Sequence, residues 1–303
     1  MMEPRDLIGY AAGQPQGSWP NGAQLALNIA LNVEEGSERT PYEGDATNEG
    51  LGEVPRAMTP GVRDLATESV YEYGSRVGAL RLIRLFNRLG VEVTVFAAAQ
   101  ALERNPPLAE AIAGSPHEVC AHGYRWAESW TMSEDEEREA IARAVASIEA
   151  SVGKRPVGWY SRWMRSERTR RLLAEEGGFI YDSDAYNDDT PYYVKVGSAE
   201  HLVVPYSLTY NDAQYSYGHL ASPSDFVDLA LRAAAFMLAE DDGVPRLLSV
   251  GLHPRLSGQP GRASAVEELV DRIAGLGNVW ITTRRQIAEF WLREHPPAAG
   301  RPQ

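Results

Sequence analysis

Short apolar runs bounded by turn residues alternate along the chain with segments of helical periodicity. The apolar runs predict eight strands, at residues 24–33, 91–96, 118–121, 157–160, 179–181, 201–205, 246–252 and 278–282. The helical segments predict seven helices, at residues 75–89, 107–113, 134–152, 168–176, 225–240, 263–276 and 285–293. This alternation is typical of βα units that join into a mostly parallel sheet.

Signals at the helix ends support this interpretation. Ser133 followed by Glu136 predicts a capping box, and Gly90, Gly153 and Gly177 lie where helices should end. No glycine-rich phosphate-binding signature follows a strand. Seven or eight βα steps without that signature favour an α/β fold in the form of a distorted (β/α) barrel with about seven parallel strands. We expect one catalytic domain over residues 1–303, with a tail after about residue 295 that frays.

Two long stretches, 36–69 and 182–200, lack clear periodicity and are rich in Gly, Pro, Asp and Tyr. Loops of that length in a compact domain are usually functional or disordered. The second stretch contains Tyr186, Tyr192 and Tyr193, and we predict that it is ordered.

Composition narrows the class of protein. The 303 residues are 44% hydrophobic, which is enough for a full core, and 42 acidic against 29 basic residues give a net charge of −13. That charge argues against nucleic acid or an anionic membrane as a partner. The start of the chain is charged, and no stretch approaches the roughly 20 apolar residues of a membrane span, so we expect a cytoplasmic protein. The single cysteine, Cys120, excludes an intrachain disulfide and suggests a buried filler.

Candidate catalytic residues lie at the ends of predicted strands, where parallel barrels gather their working side chains. His122 and His253 directly follow two of these strands. The other four histidines lie at strand starts or in loops, and we interpret them as structural or exposed: His117, His201, His219 and His295. Each of the two strand-end histidines could equally be a structural, hydrogen-bonded side chain.

Two consecutive acids, Glu34 and Glu35, end the first predicted strand. Neighbouring residues on a strand point to opposite faces, so only one of them should face the barrel mouth, and the sequence leaves open which one. A carboxylate together with a histidine supplies the general base and general acid that amide hydrolysis needs. A solvated loop acid is the competing interpretation.

Aromatic and charged residues close behind the strand ends suit an apolar-walled pocket for a small planar ligand. A core position is the competing interpretation for each aromatic residue. The candidate substrate-binding residues are Trp126, Trp159, Tyr160, Arg162, Trp163, Asp184 and Arg255.

The strand-end segments occur in the order and spacing of the motifs of the polysaccharide deacetylase superfamily, which the chain resembles from about Arg5 to His295. Within it, the chain is similar to the metal-independent allantoinases. The segments that carry this resemblance include PRDLIGY at 4–10, LNVEEG at 31–36, ESVYEYG at 68–74, HLVVPY at 201–206 and GLH at 251–253. The segment TPYYVKVG at 190–197 is shared with cyclic imide hydrolases and a peptidoglycan deacetylase-like subgroup.

The resemblance also bears on metal binding. Metal-dependent members of the superfamily hold zinc with an aspartate and an H-x-x-x-H pair, which reads His122-Gly-Tyr-Arg-Trp126 in this chain. Trp126 cannot ligate a metal, and the first-motif acid is a glutamate, so fewer than the usual three protein ligands remain. The resemblance therefore implies no cofactor. A weakly bound divalent metal at Glu34 and His122 is the alternative.

The third motif departs from the pattern that the resemblance leads us to expect. Allantoinases should have a small, glycine-containing turn where this chain has Ser161, Arg162 and Trp163. The bulkier side chains should change the shape of the pocket, which favours a ring substrate neighbouring allantoin.

The resemblance implies a hydrolase that opens a small cyclic ureide, imide or amide, such as allantoin, to the open-chain acid. Glu34 or Glu35 would activate water with help from His122, and His253 would protonate the leaving nitrogen. Arg255 or Arg162 would hold the developing oxyanion. Two alternatives stay open: a metal-dependent N-deacetylase of a sugar or small amide, and a non-catalytic barrel that binds a small molecule. The resemblance also implies a homo-oligomer, commonly a tetramer.

Overall fold

The computed structural model describes residues 5–11, 13–50 and 58–297. The tail that we predicted to fray lies, from residue 298 onward, outside the described residues, as does Pro4 of the opening motif. The described strands are β1 Leu25–Val33, β2 Thr94–Ala97, β3 Glu118–Ala121, β4 Gly158–Trp159, β5 Tyr181–Asp182, β6 Tyr192–Val196, β7 Ala199–Val203, β8 Arg246–Leu252 and β9 Val279–Ile281.

Helices connect most of these strands and cover the outside of the sheet. The described helices are α1 Leu65–Tyr73, α2 Ala79–Leu89, α3 Ala99–Arg104, α4 Pro106–Ala113, α5 Glu134–Val152, α6 Thr169–Glu176, α7 Pro223–Ala239, α8 Pro254–Ser257, α9 Pro260–Ala274 and α10 Arg284–Glu294. A π-helical turn, Gly74–Gly78, joins α1 to α2. The predicted capping box at Ser133 is present at the start of α5.

The strands form one curled, mostly parallel sheet in the order β6-β7-β5-β4-β3-β2-β1-β8. Strand β1 is central: it pairs with β8 along one edge, and along the other with β9 in its first half and β2 in its second half. Only the β6–β7 hairpin is antiparallel among the described strands. The predicted distorted barrel is thus confirmed, and the carboxyl ends of the parallel strands meet on one side of it.

Strand β1 shows why the central strands read as continuous apolar runs, since all nine of its residues are buried. Its larger side chains, from Leu25 to Val33 in alternation, pack against the helices. Ala26 and Ala30 face the barrel interior together with Phe96 and Cys120. A strand buried on both faces loses the apolar–polar alternation of a half-exposed one. Cys120 is a free, buried thiol, as predicted.

Three parts of the fold differ from the sequence prediction. Strand β6 lies in the stretch 182–200, which is ordered as expected but was not predicted as a strand, because this edge strand is only half-buried. The short helices α1, α3 and α8 were also missed. The predicted helix 75–89 begins instead as the π-helical turn, where Gly74 lets the backbone approach Glu35: a Cβ there would lie 2.7 Å from Glu35 Oε1. No helix in the described ranges has the length and apolar character needed to cross a membrane.

Candidate active site

Three of the four predicted catalytic residues meet at the carboxyl edge of the sheet. Glu34 follows β1, His122 follows β3 and His253 follows β8. Oε1 of Glu34 lies 3.3 Å from Nε2 of His122 and 3.4 Å from Nε2 of His253. All three side chains are buried. A single carboxylate oxygen therefore lies between two imidazoles.

His253 is held by an aspartate that sequence reasoning missed. Asp212, in the loop between β7 and α7, accepts hydrogen bonds from His253 Nδ1 at 2.6 Å and from the His253 backbone N–H at 2.8 Å. It also accepts one from Ser257 Oγ at 2.6 Å. Because a carboxylate only accepts, Nδ1 carries the proton and Nε2 faces Glu34. Burial alone would lower the pKa of His253, but the charges of Glu34 and Asp212 outweigh it and raise this pKa to about 9.

The position of Asp212 is set by the residue before it. Asn211 forms an isolated parallel bridge with Gly251 of β8 and donates from Nδ2 to Tyr206 Oη at 3.1 Å. The same side chain accepts a hydrogen bond from Ala213 N at 2.8 Å, which starts a short 3-10 helix. The signal available in the sequence was an Asn-Asp pair after the predicted strand 201–205. That signal is weak, because Asn and Asp are common in any loop.

His122 is oriented by the neighbouring strand β4 and its extension. Its Nδ1 donates to the carbonyl oxygen of Tyr160 at 2.8 Å, which fixes the tautomer and turns Nε2 toward Glu34. The imidazole stacks on the Tyr160 ring, with the centroids 4.9 Å apart, and also contacts Phe96. The ring thus has little freedom to rotate.

The structure separates the two consecutive glutamates. Glu34 lines a pocket at the carboxyl edge of the sheet, whereas Glu35 turns back into the protein. Glu35 accepts hydrogen bonds from the backbone N–H groups of Glu34 and Arg255, at 3.2 and 3.0 Å. Burial, partly offset by the Arg255 guanidinium, raises the pKa of Glu35 to about 7. Glu34 is therefore the candidate for contact with a substrate. Glu35 stabilises the backbone of Glu34 and of Arg255 through its hydrogen bonds.

Arg255 links the two carboxylates. Its Nη1 donates to Glu34 Oε2 at 2.8 Å and to Glu35 Oε1 at 3.3 Å, and its guanidinium lies 4.5 Å from the centre of the Tyr71 ring. Burial would raise the pKa of Glu34, but the positive charges of His253 and Arg255 and the hydrogen bond from His253 hold it well below its usual range. Glu34 is consequently an ionised carboxylate at neutral pH.

These groups line a pocket of about 480 Å³. Seven of the predicted site residues contribute to it: Glu34, His122, Trp126, Tyr160, Trp163, His253 and Arg255. The outer wall comes from a loop that was not predicted to contribute, through Leu208, Asn211, Ala213, Gln214, Ser216, Tyr217 and His219. His219 is exposed, which agrees with its interpretation from the sequence as structural or exposed, and it also lines the pocket.

Three predicted binding residues lie outside this pocket. Trp159 packs in the core against Phe179, because strand alternation turns it away from the face that Tyr160 occupies. Asp184 accepts hydrogen bonds from the backbone N–H and the hydroxyl of Ser161, at 2.7 and 2.8 Å. These placements do not fit direct contact with a ligand in the pocket.

Arg162 is the third of these residues. Its guanidinium pairs with Glu49 at 2.9 Å and stacks 3.9 Å from the centre of the Trp126 ring. Arg162 is therefore a buried side chain that supports Trp126. Of the two arginines proposed to hold an oxyanion, only Arg255 lines the pocket.

Comparison with known proteins gives the same family as the motifs. The sequence profile of the polysaccharide deacetylase family matches residues 69–179. A Schizosaccharomyces pombe protein described as a polysaccharide deacetylase is 35% identical over 98% of this chain and 99% of its own length. The chain belongs to the polysaccharide deacetylase family.

Two solved structures of the family share the whole fold. A protein of Pseudomonas aeruginosa PAO1 described as a polysaccharide deacetylase is 42% identical, with a TM-score of 0.92 over 97% of this chain and 100% of that one. The PuuE allantoinase is 39% identical, with a TM-score of 0.93 over 98% of this chain and 100% of its own. Family membership and these neighbours support a hydrolase that acts on carbon–nitrogen bonds.

The residues present do not fit the zinc site of the metal-dependent family members. At the position of their second histidine, the Trp126 ring has the guanidinium groups of Arg162 and Arg255 at 3.9 and 5.5 Å from its centre. A divalent cation on Glu34 would also lie beside the Arg255 guanidinium, and like charges repel. Within the described part of the chain, no group of three or more histidine, cysteine or acidic side chains is arranged to hold a metal ion.

Proposed function

We propose that the protein opens a small cyclic ureide, imide or amide by metal-independent hydrolysis of a ring carbon–nitrogen bond. One observation carries this proposal: a single carboxylate oxygen of Glu34 lies between the Nε2 atoms of His122 and His253 on the wall of a pocket. Two imidazoles on either side of one position can take a proton from water and give one to a leaving nitrogen.

Water attack is the first step of the proposed reaction. The water contacts Glu34 Oε1 and His122 Nε2 from the pocket side, its oxygen bonds to the ring carbonyl carbon, and its proton passes to His122 Nε2. The paired Glu34 carboxylate is strongly stabilised in its ionised form, which makes it a weak base, so it orients the water instead. His122 is suited to accept the proton because its Nδ1 proton is already committed to the Tyr160 carbonyl oxygen.

Ring opening is the second step. The carbon–nitrogen bond breaks, and the departing nitrogen takes the proton of His253 Nε2. A pKa of about 9 means that His253 carries this proton at neutral pH. The Arg255 guanidinium lines the same pocket, and we propose that it stabilises the negative charge that develops on the carbonyl oxygen. The product is the open-chain acid. The proton that His122 accepted is then released to solvent and His253 takes one up, which restores both imidazoles for the next turnover.

A substrate panel tests this function. Protein treated with a chelator is incubated with allantoin, hydantoin and succinimide, and ring opening is followed by the appearance of the acid. The Glu34→Gln variant, purified in the same way, controls for contaminating hydrolases. Turnover of at least one ring by the wild type alone supports the proposal, and inactivity on a broad panel of hydantoins, imides and ureides contradicts it.

Two further measurements, of acetate release and of ring binding, address the two alternative functions. Release of acetate from N-acetylglucosamine oligomers that depends on added zinc would favour an N-deacetylase, for which the family membership is the supporting observation. Tight ring binding without turnover would favour a binding protein. The cytoplasmic location and the homo-oligomeric state stay predictions, to be tested by fractionation and by light scattering.

A further inference from the structure

The backbone of Trp163 adopts an unusual conformation at the pocket. Its φ of 61° lies in the left-handed region, which L side chains rarely adopt and which is especially unfavourable for bulky ones. Of the described non-glycine residues with positive φ, Trp163 alone lines this pocket. A residue that is less strained there, such as glycine, would be expected if only the turn mattered.

Two tyrosine hydroxyls connect the backbone of Trp163 to the pocket wall. The hydroxyl of Tyr186 donates to the carbonyl oxygen of Trp163, and the hydroxyl of Tyr160 lies 3.0 Å from that of Tyr186. Tyr160 also stacks on His122. The turn that presents Trp163 is thus connected through two tyrosines to the catalytic histidine.

The Trp163 side chain does not contribute to the core. Trp163 is 44% exposed, and the guanidinium of Arg162 lies 5.2 Å from the centre of its ring. Leu208 and Tyr217 line the same pocket and are 46% and 49% exposed. Three large apolar side chains on one concave surface are typical of a surface that a ligand covers.

The charges in the pocket limit what that ligand can be. Glu34 and Arg255 are the only acidic and arginine or lysine side chains among the described lining residues, and they pair with each other at 2.8 Å. The charged imidazole of His253 is paired with Glu34 and Asp212. These charges lie at the reacting end, and no acidic, arginine or lysine side chain is among the described outer-wall residues to pair with a charged substituent there. The pocket volume of about 480 Å³ is within the range of about 300–1,000 Å³ for sites that hold more than a bare ring.

We propose that Trp163, with Leu208 and Tyr217, is a specificity-determining residue that binds an uncharged, apolar substituent on the ring, such as a benzyl group. The indole would stack on this substituent while the ring lies against Glu34, His122 and His253. This inference rests on the proposed ring-opening function. It implies that a hydantoin with an apolar 5-substituent is a better substrate than allantoin, which carries a polar ureido group on the same ring.

Kinetics on matched rings test the inference. We expect wild-type kcat/KM to be about tenfold higher for 5-benzylhydantoin than for allantoin, a ratio expected from one aromatic stacking contact. Trp163→Gly should abolish this preference, mainly through KM, and Trp163→Phe should keep most of it. Met164→Ala is the control, because Met164 is 51% exposed beside Trp163 but does not line the pocket.

Thermal unfolding separates recognition from a structural role. Trp163→Gly should unfold at the wild-type temperature or above, since glycine adopts a φ of 61° without strain. A clear drop in melting temperature, or equal loss of kcat on every ring, would overturn the inference in favour of a structural role. Ring opening without preference for the apolar substituent would overturn this inference alone, whereas absence of all ring opening would overturn the proposed function as well.

Discussion

Two acidic strand ends have similar partners and different surroundings. Glu34, after β1, pairs with Arg255 and two histidines and lines the pocket. Asp182, at the end of β5, pairs with Arg170 at 2.8 Å and His201 at 3.0 Å, and it is fully buried outside that pocket. Both carboxylates have a pKa held below the usual range despite burial, by the positive partners beside them. Ion pairing therefore does not distinguish the site; access to the pocket does.

Asp184, two residues after Asp182, shows that a perturbed pKa does not distinguish the site either. Burial, together with the charge of Asp182, raises the pKa of Asp184 to about 7. A carboxyl group that titrates near neutral pH is a common mark of a catalytic site. Asp184 instead accepts two hydrogen bonds from Ser161 and has no contact with the pocket. We call Asp182, Arg170 and His201 the β5 cluster, and Glu34, Arg255 and the two histidines the β1 cluster. We infer that the β5 cluster stabilises the fold and that the β1 cluster performs the chemistry. Four predictions test this contrast.

The largest expected effect is on turnover at the β1 cluster. Glu34→Gln should lower kcat/KM by about a thousandfold, the upper end for loss of one preorganised electrostatic group, because it removes the charge that orients water and holds both histidines. Steady-state kinetics on the best ring substrate measure this, with circular dichroism as the check on folding. A variant that retains a tenth of wild-type activity would show that the chemistry lies elsewhere.

At the β5 cluster we expect the opposite result. Asp182→Ala should lower the free energy of unfolding by about 3 kcal/mol, because it leaves the buried Arg170 without its partner. The kcat of the folded fraction should change little. Urea unfolding measures the free energy of unfolding, and kinetics corrected by active-site titration measure the kcat of the folded fraction. A variant of normal stability with severely reduced kcat would remove the contrast between the clusters.

The pH dependence of activity should show the titration of His253. The proposed acid is lost above its pKa of about 9, so kcat should fall about tenfold for each pH unit beyond it. Asp212→Asn should shift this limb to lower pH, since Asp212 helps to raise the pKa. The folded-state pKa lies above the ordinary value, so this pairing contributes stability fully below about pH 6.5, and the contribution is lost as pH rises through about 9. An alkaline limb that does not move in Asp212→Asn would contradict the role of this pair.

The smallest effect is expected at Glu35. Glu35→Gln should lower kcat/KM by less than about tenfold, since Glu35 supports Arg255 without contact with the pocket. Its folded-state pKa of about 7 exceeds the ordinary 4.5, so wild-type stability should decline as pH rises from about 4.5 to 7. Glutamine resembles the protonated form and should reduce this slope. Loss of activity as large as in Glu34→Gln would mean that Glu35 also takes part in the chemistry.

The sequence indicated the fold well where strands are buried on both faces. Strands such as β1 and β8 appear as long apolar runs, and the turns that bound them contain recognisable residues. The prediction from sequence missed β6. This edge strand has side chains that are only partly buried, so no strong pattern of apolar residues marks it. The short helix α8 was hidden for another reason, since four residues carry too little periodicity to recognise.

The strand-end positions of His122, His253 and the glutamate pair could be predicted because each follows an apolar run directly. What the chain alone left open was the choice between Glu34 and Glu35, and it did not separate Trp159 from Tyr160, both of which we predicted to bind the ligand. Side chains alternate along a strand with a period of two, but packing decides which of the two sets faces the pocket. Asp212 could not be assigned for a related reason, since a loop residue meets a histidine 41 positions away only after the chain has folded. The sequence thus determined which chemical groups reach the carboxyl ends of the strands, and the tertiary structure decided which of them face a ligand.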